Sequence, residues 1–220
     1  MEGSARVSER DDDLIASAVV GDDTLSPRIG RSRATTHGEI SHIALRLFLD
    51  RGFEKTTIDD IVDAAGIGRR TFFRYFPSKS DLPWGEFDAL LERMRRHLAA
   101  LPDDLPLLDA LREVIVEFND YPDEELPLHR DRMWLLLNVP ALFAHSSLRY
   151  ADWRQVIAEF VAARTGVAVD APEPQAIAWA CLGLCLASYE QWLAHPEADL
   201  PTLIGNAFDL TSAAFSGERT

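Results

Sequence analysis

The chain has 220 residues, of which 47% are hydrophobic and 26% charged, as expected of a globular protein with one or two domains. Its formal net charge is -14, and its two cysteines lie four residues apart, a spacing that does not favour a disulfide and is consistent with a reducing compartment. No apolar run is long enough to span a bilayer and the acidic N-terminus lacks the pattern of a signal peptide, so we expect a cytoplasmic protein without a membrane partner.

The charge is unevenly distributed along the chain. Between Arg28 and Lys79 there are ten Lys or Arg residues and six Asp or Glu residues, a net charge of +4, which leaves -18 for the remainder. A small basic segment on an acidic body is a hint of a local site for a polyanion. Residues 1–32 contain "ERDDD" and "GDD" and are predicted to be a mostly disordered extension that ends in basic residues, with Arg33 just beyond it.

Two helices and a tight turn are predicted next. Apolar residues at helical spacing predict a first helix over about 36–51, which ends before Gly52. A short second helix begins after Thr57, a good N-cap residue, and is followed by the turn Gly66-Ile67-Gly68. Two short helices joined by a glycine-containing turn of about three residues form a helix-turn-helix.

The third helix, within "GRRTFFRYF" (68–76), separates its side chains by face. Phe72 and Phe76 share one face and are predicted to pack on the first two helices, whereas Arg70, Thr71 and Arg74 point the opposite way. An outward face with two arginines and a threonine fits the major groove of DNA. Residues on the two flanks of this helix and residues expected near the DNA phosphates are added to this face. The predicted DNA-binding residues are Arg33, Thr57, Arg69, Arg70, Thr71, Phe73, Arg74, Tyr75 and Lys79.

The stretch "TTIDDIVDAAGIGRRTFFRYFPSKSDL" resembles the N-terminal pattern of the TetR family of bacterial transcription regulators. Nine positions match this pattern directly: Thr57, Ile61, Ala65, Gly66, Thr71, Phe76, Ser78, Lys79 and Leu82. The resemblance implies that Thr57 and Lys79 hold phosphates. Phe73 departs from the usual Tyr, Gly68 from the usual Ser and Arg70 from a common Gly, which affects operator preference. Within the family, "GRRTFFRYFPSKSDLPWGEFD" is similar to regulators associated with mycofactocin biosynthesis clusters.

Further helices are predicted for the rest of the chain, giving an all-α protein of about nine helices. The fourth should begin at Ser80, because Pro83 is tolerated only in a first turn, and its stripe of Trp84, Phe87, Leu91, Met94 and Leu98 should be core. After "LPDDLP" comes a fifth helix with apolar residues from Leu107 to Phe118. Helices over about 128–138, 146–165, 175–194 and 200–215 follow "YPDEELP".

The resemblance implies two domains after the N-terminal extension: a DNA-binding domain over 33–82 and an effector-binding and dimerisation domain over 83–216. It implies a repressor that binds a palindromic double-stranded operator as a homodimer, and a small apolar effector or a long-chain acyl-CoA that releases it, with no other cofactor. The expected effector contacts are Phe118, Met133, Trp134, Leu137, Phe143, Arg149, Trp153, Arg154, Ile157 and Trp179. The expected dimer contacts are Trp179, Leu182, Leu186, Tyr189, Leu203 and Phe208.

Two functions are alternatives to a DNA-binding regulator: an enzyme and a protein-interaction module. An enzyme is disfavoured because the six histidines show no metal-binding or triad spacing and no nucleophile or phosphate-loop motif is present. Cys181 and Cys185 lie four residues apart in an apolar stretch and are expected to be buried thiols. The remaining alternative is a helical interaction module whose basic face binds a protein; the steep salt dependence of DNA binding distinguishes the two.

Overall fold

The computed structural model describes the backbone of residues 36–216 and the side chains of residues 36–214. The predicted N-terminal extension lies outside this range. Within it the chain forms nine α-helices and one 3-10 segment and contains no strand, which confirms the all-α prediction. The helices are α1 (His37–Arg51), α2 (Ile58–Ala65), α3 (Arg69–Tyr75), α4 (Phe87–Ala100), α5 (Leu107–Phe118), α6 (Leu126–Asn138), α7 (Pro140–Thr165), α8 (Pro172–Ala194) and α9 (Leu200–Ser216), with the 3-10 segment Lys79–Trp84 between α3 and α4.

Three capping boxes organise the N-terminal helices. Thr36 pairs with Glu39 at the start of α1, and Thr57 pairs with Asp60 at the start of α2. Ser78 pairs with Asp81 at the start of the 3-10 segment. In each box a hydroxyl accepts a backbone N–H and a carboxylate accepts the N–H of the capping residue, so the sequence itself fixes where each element begins.

The start of α4 corrects the sequence prediction. The cap is Ser78 rather than Ser80, and Pro83 lies inside a buried 3-10 segment that ends at Gly85, where φ is +50°. Because a left-handed residue interrupts the helix there, α4 begins only at Phe87. The predicted apolar stripe is nevertheless buried in full, from Trp84 to Leu98.

The helix predicted from about 146 also begins earlier. α6 ends at Asn138 and α7 starts at once with Pro140 in its first turn, a position where the missing N–H of proline costs nothing. The predicted loop between the two helices is therefore a single residue, Val139. This places Phe143 and His145 on α7 rather than in a loop.

One continuous core connects the N-terminal helices to the rest of the described chain. Phe48, Ile61, Phe72 and Phe76 are buried beneath α1–α3, and α1 also packs against the 3-10 segment and α6. The longest helices α7, α8 and α9 pack in sequence, and α9 returns to α5, where the Arg112 guanidinium donates to Asp209 at 2.9 Å. No helix of residues 36–216 is both long and apolar enough to cross a membrane.

Candidate nucleic-acid interface and effector cavity

The third helix has the two faces that the sequence predicts. Phe72 and Phe76 are 0% and 1% exposed, so they anchor α3 on α1 and α2. Arg70 and Arg74 are exposed on the other side, with Thr71 half-buried between them, and Phe73 is 48% exposed at the flank. This arrangement leaves one surface of α3 cationic and free of packing, as insertion into a groove requires.

The three arginines of α3 differ in what they already contact. The Arg69 guanidinium forms a 2.7 Å ion pair with Asp59 at the start of α2. Arg74 donates to the Tyr75 hydroxyl at 3.3 Å and lies 4.8 Å from the centre of its ring. Among the described residues Arg70 has no hydrogen-bond or ion-pair partner, so it is the arginine with the least to give up on binding a base.

The two predicted phosphate contacts lie beside α3 but are partly occupied. The Thr57 hydroxyl donates to the Asp60 carboxylate at 2.6 Å and accepts the Asp60 N–H. The hydroxyl bond and a second bond from the Thr57 backbone N–H lower the pKa of the half-buried Asp60 carboxyl. The Lys79 ammonium donates to the carbonyls of Phe53 and Thr56 at 2.7 and 2.9 Å. An ammonium has three N–H donors, so one remains for a phosphate. Arg33 lies outside the described residues.

A second site is an apolar cavity of about 70 Å³ between the 3-10 segment and helices α4–α8. Three of the predicted effector contacts line it: Phe118, Met133 and Trp153. Trp134 and Phe143 are about half exposed and do not line this cavity, and neither does Trp179, whose ring is covered by the Arg154 guanidinium at 3.4 Å. The other predicted effector residues, which also do not line it, are Leu137, Arg149, Arg154 and Ile157.

Most of the cavity wall was not anticipated from the sequence. Six of the lining residues were assigned to other roles. Trp84 and Phe87 were expected to be core, Cys185 a buried thiol, and Leu182, Leu186 and Tyr189 dimer contacts. The other unpredicted lining residues are Pro83, Leu90, Asn119, Tyr121, His129, Arg132, Leu136 and Tyr150. Asn119 and His129 are polar residues on otherwise apolar helix faces, which is the signal that could have identified them.

The cavity shares an element with the DNA-binding helices. Pro83 and Trp84 of the 3-10 segment line it, and the same segment begins directly after α3. Asp81 in this segment accepts hydrogen bonds from Ser78, from His145 Nε2 at 3.0 Å and from Arg149 at 3.4 Å. Since His145 and Arg149 belong to α7, a carboxylate of the 3-10 segment connects the two halves of the fold.

The ionisation of Asp81 reflects this environment. Burial raises its pKa, but the hydrogen bonds from Ser78 and His145 and the positive charges of His145 and Arg149 outweigh that effect. The net result is a lowered pKa, so Asp81 is an anion held by α7 under ordinary conditions.

Both cysteines are free and buried on α8, as predicted, and Cys185 lines the cavity. Burial raises the pKa of the Cys181 thiol to about 12 and that of Cys185 further. Neither thiol is therefore a reactive thiolate at neutral pH. Among the described residues there is no cluster of side chains that could hold a metal ion.

A helix-turn-helix with an exposed arginine-bearing helix, joined to a helical body, is the architecture of a DNA-binding transcriptional regulator. The chain belongs to the TetR family. The family of "bacterial regulatory proteins, tetR family" matches residues 40–82, and the "MftR C-terminal domain" matches residues 105–216. This confirms the predicted resemblance, and the family consists of DNA-binding transcriptional regulators, not enzymes.

Individual relatives agree with this assignment. The chain is 43% identical to the protein assigned as the mycofactocin biosynthesis transcriptional regulator MftR of Mycobacterium tuberculosis, over 84% of this chain and 94% of the relative. A TetR-family regulator from Syntrophomonas wolfei shares the fold with a TM-score of 0.60 at 16% identity, covering 84% of this chain and 96% of that chain. Thermus thermophilus FadR, a TetR-family repressor solved with lauroyl-CoA, shares it with a TM-score of 0.53 at 23% identity, covering 84% and 96%.

Proposed function

We propose that this chain is a repressor that binds a palindromic operator as a homodimer and leaves it when a small apolar or acyl-CoA effector occupies the cavity. The observation that carries this proposal is the exposed Arg70, which has no partner within residues 36–214, on a helix whose opposite face is buried through Phe72 and Phe76. The similarity to MftR supports a role at a mycofactocin gene cluster in the cytoplasm.

The docking face is proposed to contain Arg70, Thr71 and Arg74 in the major groove. Arg69, Phe73 and Tyr75 flank it, and Thr57 and Lys79 lie where the groove walls would present phosphates, with Arg33 reaching from the preceding segment. The exposure of Arg70 and Arg74 supports base contacts, since a bidentate arginine–guanine pair needs an unobstructed guanidinium.

Helices α8 and α9 are proposed to form the dimer interface. The exposed face of α8 carries small residues at helical spacing, Ala176, Ala180, Gly183 and Ala187, which allow a partner helix to approach closely. Large apolar side chains remain exposed beside them, Trp179 at 58% and Leu210 of α9 at 71%. The expected contacts Leu182, Tyr189 and Phe208 face this chain's own core, so the proposed interface depends on Trp179, Leu203, Leu210 and the edge of Leu186.

The effector site is proposed to be the cavity behind the 3-10 segment. Its walls are mainly apolar, as an acyl chain requires, and FadR, which shares the fold, was solved with lauroyl-CoA. Because Pro83 and Trp84 are part of the wall, a ligand that enlarges this cavity of about 70 Å³ on their side acts on the 3-10 segment that follows α3.

Genome-wide selection of bound DNA fragments, with and without lauroyl-CoA, tests this function. We expect enrichment of a two-fold symmetric sequence that disappears when the effector is added. The Arg70→Ala variant is the matched control, because it removes the side chain proposed to contact the bases and should lose the enrichment. Enrichment of unrelated sequences, or equal enrichment by the Arg70→Ala variant, would contradict the proposed docking face.

A further inference from the structure

Buried polar atoms without partners are concentrated at the cavity. Within the described side chains, Trp84 Nε1, His129 Nδ1, Arg132 Nε and the Tyr150 hydroxyl are buried and make no hydrogen bond, and all four residues line the cavity. The Tyr150 hydroxyl lies near that of Ser146, which itself donates to the Leu142 carbonyl. Each such atom costs free energy unless a ligand or water satisfies it, so the cavity wall offers polar groups to which a ligand can bind.

A chain of hydrogen bonds fixes which of these atoms are donors. The Asn119 amide N–H donates to the Ile115 carbonyl at 2.7 Å, which turns the Asn119 oxygen towards Tyr189. The Tyr189 hydroxyl donates to that oxygen at 2.6 Å, so its own oxygen accepts from His129 Nε2 at 3.0 Å. His129 therefore carries its proton on Nε2 and presents an unpaired acceptor at Nδ1.

The charge at the cavity is set by Arg132 rather than by His129. His129 is 4% exposed, and burial, followed by the charge of Arg132, lowers its pKa to about 3. The imidazole is thus neutral while the guanidinium one turn further along α6 remains a cation with its Nε–H unsatisfied. An occupant that brings an anionic acceptor to Arg132 and a hydrogen-bond donor to His129 compensates both groups at once.

The size of the cavity limits the shape of this occupant. At about 70 Å³ it is smaller than the ~150 Å³ cavity that takes up benzene in an engineered protein. Any occupant of more than a few heavy atoms must therefore displace part of the wall. A flexible aliphatic chain can adapt its conformation to the wall as a rigid ring cannot, and the wall includes the flexible side chain of Met133.

We propose that the cavity selects an aliphatic hydroxy acid, whose carboxylate accepts from Arg132 and Trp84 and whose hydroxyl donates to His129 Nδ1. This inference rests on the proposed function, because it places an effector in the same cavity, but it names a different chemical class: an acyl-CoA is a thioester and has no free carboxylate to accept from Arg132. The hydroxyl lies close to the carboxylate along the chain, since His129 and Arg132 are three residues apart on one helix.

Calorimetric titration of the full chain with four matched probes tests the proposal: 2-hydroxyoctanoate, 3-hydroxyoctanoate, 2-methoxyoctanoate and octanoate. We expect at least one hydroxy acid to bind about tenfold more tightly than octanoate, a difference of about 1.4 kcal/mol. The methoxy compound keeps the oxygen but loses the donated proton, so it should bind no better than octanoate. If neither hydroxy acid exceeds octanoate, or if the methoxy compound binds equally well, the assignment to His129 Nδ1 is overturned.

Trp84→Phe tests the hydrogen bond that the indole N–H is proposed to donate to the carboxylate. The variant removes this N–H but keeps an aromatic ring in the cavity wall. The variant should weaken all carboxylate probes several-fold, without changing the preference for the hydroxyl. Unchanged affinity for these probes in the variant would overturn the Trp84 contact.

A gel shift on the selected operator, with lauroyl-CoA as a separate arm, distinguishes this inference from the proposed function. Operator binding that only lauroyl-CoA releases, with no hydroxy acid bound, would overturn the inference and leave the repressor intact. Tight hydroxy-acid binding to a chain that binds no operator would support the inference and contradict the repressor.

Discussion

At the scale of single residues, the arginines of α3 are separated by the contacts that they already make. Arg69 must break or share its 2.7 Å pair with Asp59 to reach DNA, whereas Arg70 has no such pair in the described part of the chain. An exposed ion pair stabilises the fold only slightly, so Arg69 can leave Asp59 and contribute positive charge near the DNA backbone. Arg70 is the residue expected to discriminate between bases.

Arg70→Ala is therefore expected to weaken operator binding by about 1–3 kcal/mol and to relax preference at one base pair of each half-site. Fluorescence anisotropy with single-substitution operators measures both effects. Arg96→Ala, which removes an exposed arginine from α4, is the matched control for net charge and should change affinity far less. Equal losses in the two variants would mean that Arg70 contributes charge alone.

Lys79 is expected to have both a structural and a DNA-binding role. Lys79→Met keeps an unbranched side chain but removes the ammonium that lies 4.1 Å from the centre of the Phe53 ring. It also leaves the carbonyls of Phe53 and Thr56 without their donor. We expect a loss of about 1–3 kcal/mol in the free energy of unfolding, measured by urea titration. The slope of log affinity against log salt should also decrease by about 0.9 if the third N–H binds a phosphate. An unchanged slope would leave Lys79 a purely structural residue.

At the scale of elements, the helix-turn-helix could be predicted because its signals are local. Thr57 caps α2 through a residue three positions away, and Gly66 ends it in the left-handed conformation at φ +64°. The two faces of α3 follow from helical periodicity alone, which gave Phe72 and Phe76 correctly as core.

The 3-10 segment and the cavity depend on contacts between distant residues, which no local pattern contains. The Ser41 hydroxyl donates to the Leu82 carbonyl at 2.6 Å from 41 residues away, which helps to hold the segment where Ser80 and Pro83 alone favour a regular helix start. His129, Tyr189 and Asn119 meet across separations of 60 and 70 residues. The resemblance placed Tyr189 at a dimer interface because it implies which helices pair, whereas the neighbour that covers each apolar residue depends on contacts across the fold.

Asp81→Asn tests the connection between α7 and the 3-10 segment. Because the pKa of Asp81 in the folded chain lies below its ordinary value of 3.8, its stabilisation is fully present above that pH and is lost as pH falls through the lowered value. We expect the variant to be less stable by about 1–3 kcal/mol at neutral pH. Thermal unfolding between pH 3 and 7 should show the difference from wild type shrinking at the acid end.

The functional expectation for Asp81→Asn is weaker release rather than weaker binding. The variant leaves α3 and its arginines unchanged, so operator affinity in the absence of effector should be nearly that of wild type. A gel shift with increasing lauroyl-CoA should need more effector for the same release. Normal release by a stable variant would show that the signal travels through other contacts.

At the scale of the whole molecule, the proposed dimer brings two α3 helices onto one operator, so assembly and recognition should fail together. Trp179→Glu places a charge on the exposed small-residue face of α8. We expect a monomer by light scattering, with unchanged helix content by circular dichroism and a large loss of operator affinity. Leu108→Glu, which alters an exposed leucine on α5, is the control and should remain dimeric. A dimeric Trp179→Glu protein would move the interface elsewhere.

Because Cys185 is buried in the cavity wall, the rate at which its thiol is alkylated measures how often the wall opens. A thiol with a raised pKa inside a packed helix pair can meet an alkylating reagent only during brief excursions of the wall, so its labelling rate counts those excursions. Mass spectrometry of iodoacetamide-treated protein should find Cys185 modified more slowly once an occupant holds the wall shut. Cys181, one turn away on the same helix but not part of the cavity wall, supplies the internal reference, and parallel slowing of both thiols would indicate general rigidification.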